Sequence, residues 1–174
     1  GVSEELIIEK YNSDLANILG NLVNRTVSMS KKYFNKEVHK PQAFEEIDKD
    51  LIETAKHLGD KIEEKIKELK VADAINEIFN LLRKCNKYID ETEPWILSKS
   101  EEKEERLKTV LYNLLESIRI SAVYLQAFMP ETADEIFKQL NTQNRSVEST
   151  KDFKGMDPGI ILNDPKIIFQ RIEK

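Results

Sequence analysis

With 174 residues, 40% of them hydrophobic and 34% charged, the chain is long enough for one domain with a real core and too apolar to stay disordered. Glycine and proline occur only 5 times each, and Gly1, Gly20, Gly59, Gly155 and Gly159 are scattered, which excludes a dinucleotide-binding turn or a phosphate loop. The net charge of −5 argues against a general grip on nucleic acid, but residues 10–40 hold six Lys/Arg against Asp14 and Glu37 while residues 41–105 hold 11 bases against 18 acids, so one basic segment stands apart from an acidic middle.

From Ser3 to about Phe34, Leu15, Leu19 and Leu22 recur at helical spacing, with Ile18 widening the stripe toward Met29. The spacing predicts one long helix. Val38 to Phe44, with Pro41, interrupts it. A second amphipathic run follows, with Ile47, Leu51, Ala55, Leu58, Ile62, Ile66 and Leu69 on one face, and a third carries Val71, Ala74, Ile75, Ile78, Phe79, Leu82, Cys85 and Ile89. No Gly or Pro marks the boundary between these two near Lys70, whereas Pro94 stops the third. Ser98 and Glu101 have the spacing of a capping box ahead of a fourth helix striped by Leu107, Leu111, Leu114, Ile118, Ala122 and Leu125. Pro130 ends that helix and suits the first turn of a fifth through Leu140, with Glu131 complementing its dipole. Beyond Asn141 the pattern decays, leaving Ile160–Leu162 and Ile167–Phe169 as short extended pieces. The expected fold is all-α: an antiparallel bundle of about five helices over residues 3–140, with an irregular C-terminal extension over 141–174, together forming a single domain over 1–174.

Little in the sequence carries covalent chemistry. Cys85 is the only cysteine and falls on an apolar stripe, which suits a small hydrophobe better than a redox centre. His39 and His57 lack paired ligand spacing and neither follows an acid as Glu-x-x-His, so no metal is expected. Glu63, Glu64, Glu101, Glu102, Glu104 and Glu105 sit among lysines on faces that read as solvated. No apolar run approaches the roughly 18 residues of a membrane span and no signal peptide opens the chain, so the expected location is the cytoplasm.

Two clusters remain. Asn17, Asn21, Arg25, Ser28 and Lys32 follow one another at three- and four-residue steps, which lines them along one helical face beside the leucine stripe. Asn offers a donor and an acceptor and Arg a planar fork of donors, a combination suited to a base edge. Such residues also simply face solvent or bridge helices. The second cluster, Asn86 to Trp95, sets the only tryptophan just after Pro94 at a helix end, with Arg83, Lys84 and Lys87 ahead of it. A tryptophan there either plugs the core or stacks an unpaired base.

The runs Tyr11-Asn12-Ser13-Asp14-Leu15-Ala16-Asn17, Gly20-Asn21-Leu22 with Arg25, Asn86–Trp95 and Phe128-Met129-Pro130-Glu131-Thr132-Ala133, taken in that order, resemble the anticodon-binding domain of bacterial methionyl-tRNA synthetase. The resemblance covers about residues 3–140, and Ile167–Glu173 is similar to the family's closing segment, where a proline often stands at the position of Gln170. It implies a bundle that recognises the anticodon loop of methionine tRNA through Asn21, Arg25 and Trp95, with Pro94 shaping the turn and Lys31, Lys32, Lys84 and Lys87 as candidate phosphate contacts. ATP and methionine would bind a catalytic domain not contained here. The chain would then be a C-terminal fragment without catalysis or cofactor of its own, its partners that tRNA and the catalytic domain, with no DNA and no membrane. Ser28-Met29-Ser30-Lys31-Lys32 partly imitates the family's Lys-Met-Ser-Lys-Ser motif but falls inside the first helix. The alternative is a helical protein–protein module without RNA binding, marked by a buried Trp95 and an Asn21–Arg25 pair tied to a neighbouring helix.

Overall fold

The computed structural model describes residues 2–166. Helix α1 spans Val2–Phe34, α2 Asp48–Lys67, α3 Val71–Thr92, α4 the single turn Pro94–Leu97, α5 Glu104–Leu125 and α6 Pro130–Leu140. Short 3₁₀ turns at Glu101–Lys103 and Glu148–Thr150 complete the regular structure. Among the described residues there is no named strand, only an isolated antiparallel bridge between Glu37 and Ile161. The all-α expectation therefore holds, with five helices of three turns or more.

Alternate helices run the same way. Asp50 and Asp48 of α2 meet Lys84 and Tyr88 of α3, which sets those two antiparallel. Helix α5 runs parallel to α2, since Arg106 meets Asp48 and Tyr124 lies against Gly59, and so opposite to α3, which it meets at Tyr88 and Asn113. Helix α5 lies at the centre and packs on each of the other five. Its predicted stripe from Leu107 to Leu125 is buried as expected, but so is every residue from Thr109 to Val123. A helix enclosed on all faces must satisfy its polar side chains internally.

Most of them are satisfied in two networks, while Asn113 Oδ1 and Ser117 Oγ are left without a partner among the described residues. Glu116 and Arg119 are completely buried, and the carboxylate accepts from Arg119 Nε and Nη2, both at 2.8 Å. The same carboxylate accepts the backbone N–H groups of Gly155 and Met156 at 2.9 Å, while Arg119 also donates to the Asn144 and Ser149 carbonyls and to Ser149 Oγ. This pair clasps the chain beyond α6 against the bundle. The second network centres on Asp48, which accepts two bonds from Arg106 at 2.8 Å, one from Tyr88 Oη at 2.7 Å and one from the Glu45 N–H at 2.9 Å. Burial alone would raise the Asp48 pKa, but these donors outweigh it and hold the carboxyl below the usual carboxylate range.

The ends of the helices explain the boundaries. At the α2–α3 turn Leu69 takes a left-handed φ of 61°, with Lys70 N–H donating to Lys65 O and Leu69 N–H to Ile66 O. That is the C-terminal closure glycine usually supplies, here without glycine, so the sequence carried no marker for it. Glu93 is also left-handed and Pro94 opens α4. The capping box expected at Ser98 and Glu101 does not form. Because α4 runs to Leu97, Ser98 lies past a helix end and donates back to the Trp95 carbonyl at 2.8 Å, and α5 is entered through extended Ser100 and a 3₁₀ turn.

The stretch after Asn141 is ordered by side chains. Tyr112 donates to the Met156 carbonyl, and Gln139 donates to the Asn163 and Asp164 carbonyls. Ile160–Leu162, expected as an extended piece, pairs with residues 36–38: Val38 N–H donates to Ile160 O at 2.8 Å and Leu162 N–H to Lys36 O at 2.8 Å. The similar piece Ile167–Phe169 and the closing segment to Glu173 lie outside the described residues.

Candidate nucleic-acid interface

Helix α1 divides as its sequence predicts. Leu15, Leu19, Leu22, Val23 and Val27 are buried, whereas Asn17, Asn21, Arg25, Ser28 and Lys32 are all exposed along one edge. The parallel neighbour α3 brings its C-terminal end beside the middle of that edge. Trp95, in the first turn of α4, is 39% exposed, and the Arg25 guanidinium carbon stands 5.8 Å from its ring centroid. That spacing is within reach of a cation–π contact. Pro94, the first residue of the α4 turn, is buried.

The two nearest features differ in strength. Asp90 Oδ1 lies 3.9 Å from Arg25 Nη2, an exposed pair of the kind that contributes little to stability. Asn21 sits one helical turn before Arg25 on the same exposed edge. The group therefore offers an amide, a cationic fork and an accessible indole face in one place, with the Asp90 carboxylate beside the guanidinium. An amide and a guanidinium can satisfy the edge of a planar heterocycle while an indole stacks on its face.

The candidate phosphate contacts are distributed more widely. Lys32 lies on the same edge of α1, its Nζ 5.8 Å from the Tyr33 ring, and Lys87 is exposed on α3 near Asp90. Lys31 is paired with Asp164 at 3.3 Å, and Lys36 pairs with the same carboxylate at 3.1 Å. Lys36 first and Lys31 second hold the Asp164 carboxyl below its ordinary range. Lys84 reaches Asp50 on α2 at 2.8 Å and is only partly exposed. Asp90 is the participant that sequence reasoning left without a role. Its contact with Arg25 joins two helices and has no local signature.

Other chemistry is sparse. Burial pushes the Cys85 thiol up to about 12, so it stays protonated and inert at neutral pH. Among the described residues no cluster of three His, Cys, Asp or Glu could hold a metal ion, and no helix is long and apolar enough to cross a membrane. Ser28–Lys32 lies within α1, with Ser30 buried and bonded to the Thr26 carbonyl.

Residues 38–174 match the family described as the anticodon binding domain of methionyl tRNA ligase. The chain belongs to that family. The methionine–tRNA ligase of Clostridium acetobutylicum is 47% identical over 171 residues, covering 98% of this chain and 27% of that protein. That of Bacillus subtilis is 41% identical, covering 97% of this chain and 26% of the relative. This anticodon-binding domain thus spans about a quarter of the length of the curated relatives it matches. In three dimensions it is similar to the apo form of Mycobacterium tuberculosis methionyl-tRNA synthetase, with a TM-score of 0.85 and 34% identity over 96% of this chain and 34% of that one. A second structure of that synthetase, in complex with methionyl-adenylate, gives a TM-score of 0.80 at 32% identity.

Proposed function

We propose that this domain binds the anticodon loop of methionine tRNA, with Asn21 and Arg25 hydrogen-bonding base edges and Trp95 stacking an unpaired base. Pro94 holds the turn that presents the indole. Lys31, Lys32, Lys84 and Lys87 are the cations for the loop's phosphates, which position it without reading sequence. Of these, Lys31 and Lys84 must exchange Asp164 and Asp50 for phosphate to take part. Residues 1–174 act as one binding domain, a bundle over about 3–140 with its extension over 141–174. It takes no cofactor and performs no chemistry itself; it supports ATP-dependent attachment of methionine by the catalytic domain of a cytoplasmic synthetase, its second partner. Neither DNA nor a membrane is engaged.

The observation that carries this reading is an exposed Trp95 beneath Arg25, one turn from exposed Asn21. A core-plug tryptophan would be enclosed; Arg25 does reach Asp90 of α3, but at 3.9 Å and with both side chains exposed, so the guanidinium stays accessible to a ligand. The test is a titration of Trp95 fluorescence with a methionine anticodon stem-loop and with one of scrambled anticodon. The expected result is saturable quenching by the first alone. Equal responses to both would refute specific recognition.

A further inference from the structure

One turn before Asn21 on the same edge of α1, a cavity of about 290 Å³ opens between α1 and α3, lined by Asp14, Asn17, Ile18, Asn76, Phe79 and Arg83. Its size is at the lower end for small-ligand pockets, suited to one planar group. Ile18 and Phe79 give it apolar walls, and the Arg83 guanidinium carbon stands 5.8 Å from the Phe79 ring centroid. The rim carries an acceptor in the Asp14 carboxylate, a donor fork in Arg83 and an amide in Asn17 that can do either. A carboxylate at the rim disfavours phosphate by like-charge repulsion but accepts well from an exocyclic amino group.

We propose that this cavity is a second base subsite, taking from the same loop an unpaired base that bears an exocyclic amino group, with Arg83 as a stacking and hydrogen-bonding residue. The inference rests on the anticodon-loop reading above and adds to it a place and a residue that Asn21, Arg25 and Trp95 do not supply. The spacing fits a continuous strand. Asn17 lies eight residues from Arg25, about 12 Å along the helix axis at 1.5 Å per residue, and a stacked strand advances about 3.4 Å per nucleotide, an unstacked one further. A base here therefore falls about four nucleotides or fewer from the one on Trp95. Arg83 is exposed and Phe79 buried, so Arg83 can be replaced without touching the core.

The experiment measures binding of the methionine anticodon stem-loop, and of versions carrying one abasic nucleotide at each loop position in turn, to the parent chain and to Arg83→Ala. Thermal melting confirms that the variant is folded. Arg83→Ala should weaken binding of the intact loop about tenfold, the low end of what a stacked base contributes. Removing one amino-bearing base from the loop should cost the parent about the same factor and the variant almost nothing. Unchanged affinity on Arg83→Ala overturns the subsite while leaving the anticodon reading intact, as does an equal loss across every abasic loop, the mark of a diffuse charge effect. A parent chain that does not distinguish the methionine loop from a scrambled one overturns both.

Discussion

Replacing Glu116 by glutamine tests whether the carboxylate under α5 holds the chain beyond α6. Its two oxygens accept four hydrogen bonds: Oε1 from Arg119 Nε and Met156 N–H, Oε2 from Arg119 Nη2 and Gly155 N–H. Glutamine keeps one acceptor and turns the other position into a donor, so either orientation loses two bonds and sets donor against donor. Arg119, completely buried, also loses its anion. Breaking a buried pair from one side costs about 3–5 kcal/mol, against a total stability of about 5–15 kcal/mol. At about 2–4 °C per kcal/mol for a domain of this length, the melting temperature should fall by about 6–20 °C. Far-UV circular dichroism measures that fall, and limited proteolysis reports whether residues 141–166 become cleavable first. Melting within about 2 °C of the parent, with unchanged protease resistance, would refute the anchoring role. Apolar replacement of both partners, Glu116→Leu with Arg119→Met, discriminates further. Elsewhere such a swap is often neutral, but here it strands the Gly155 and Met156 N–H groups at about 1–3 kcal/mol each, so the double variant should also be less stable.

Asp48 gives a pH signature. Its folded pKa is depressed from 3.8, so its contribution is fully present above about pH 4 and is lost as pH falls through the folded value; Asp48→Asn should lower the urea midpoint at pH 7 and flatten its decline below pH 4, and an unchanged acid limb would contradict this. A Cβ at Gly155 would overlap the Arg119 guanidinium, so Gly155→Ala should destabilise by about 1–3 kcal/mol, read by the same melts; a neutral result would mean that the clasp yields. Trp95→Ala should weaken stem-loop binding by about 1–3 kcal/mol while shifting the melting temperature by no more than a few degrees, and a large fall in melting with intact binding would show that the indole serves the core.

The helical stripes were legible because a face that must be buried repeats every three to four residues, and Leu107 through Leu125 made α5 visible as a helix. What they concealed was its enclosure. Glu116 and Arg119 have the i,i+3 spacing of any surface ion pair and so gave no sign of being internal; the partners that make them so, Gly155 and Met156, are about 40 residues away and carry no periodicity. The α2–α3 boundary was equally hidden, since Leu69 occupies a conformation that sequence patterns assign to glycine. The candidate site was readable through residue chemistry and family resemblance together: Asn21 and Arg25 declare a polar edge, and Pro94 declares a turn before Trp95. Asp90 and Arg83 were not, because what gives each a place is the packing of α3 beside α1.

The connection between α1 and α2 has a consequence for where the chain can be lengthened. It has the outward form of a long surface loop, the ordinary place for insertions, yet Gln42 and Ala43 donate to Thr109 Oγ1, Arg106 grips the Ala43 carbonyl, and residues 159–162 pair with residues 36–38. Added residues there would pull apart contacts to two distant stretches at once. The short turn at Leu69, 90% exposed, is the better place for an inserted tag or fluorophore, although it is the shorter of the two connections.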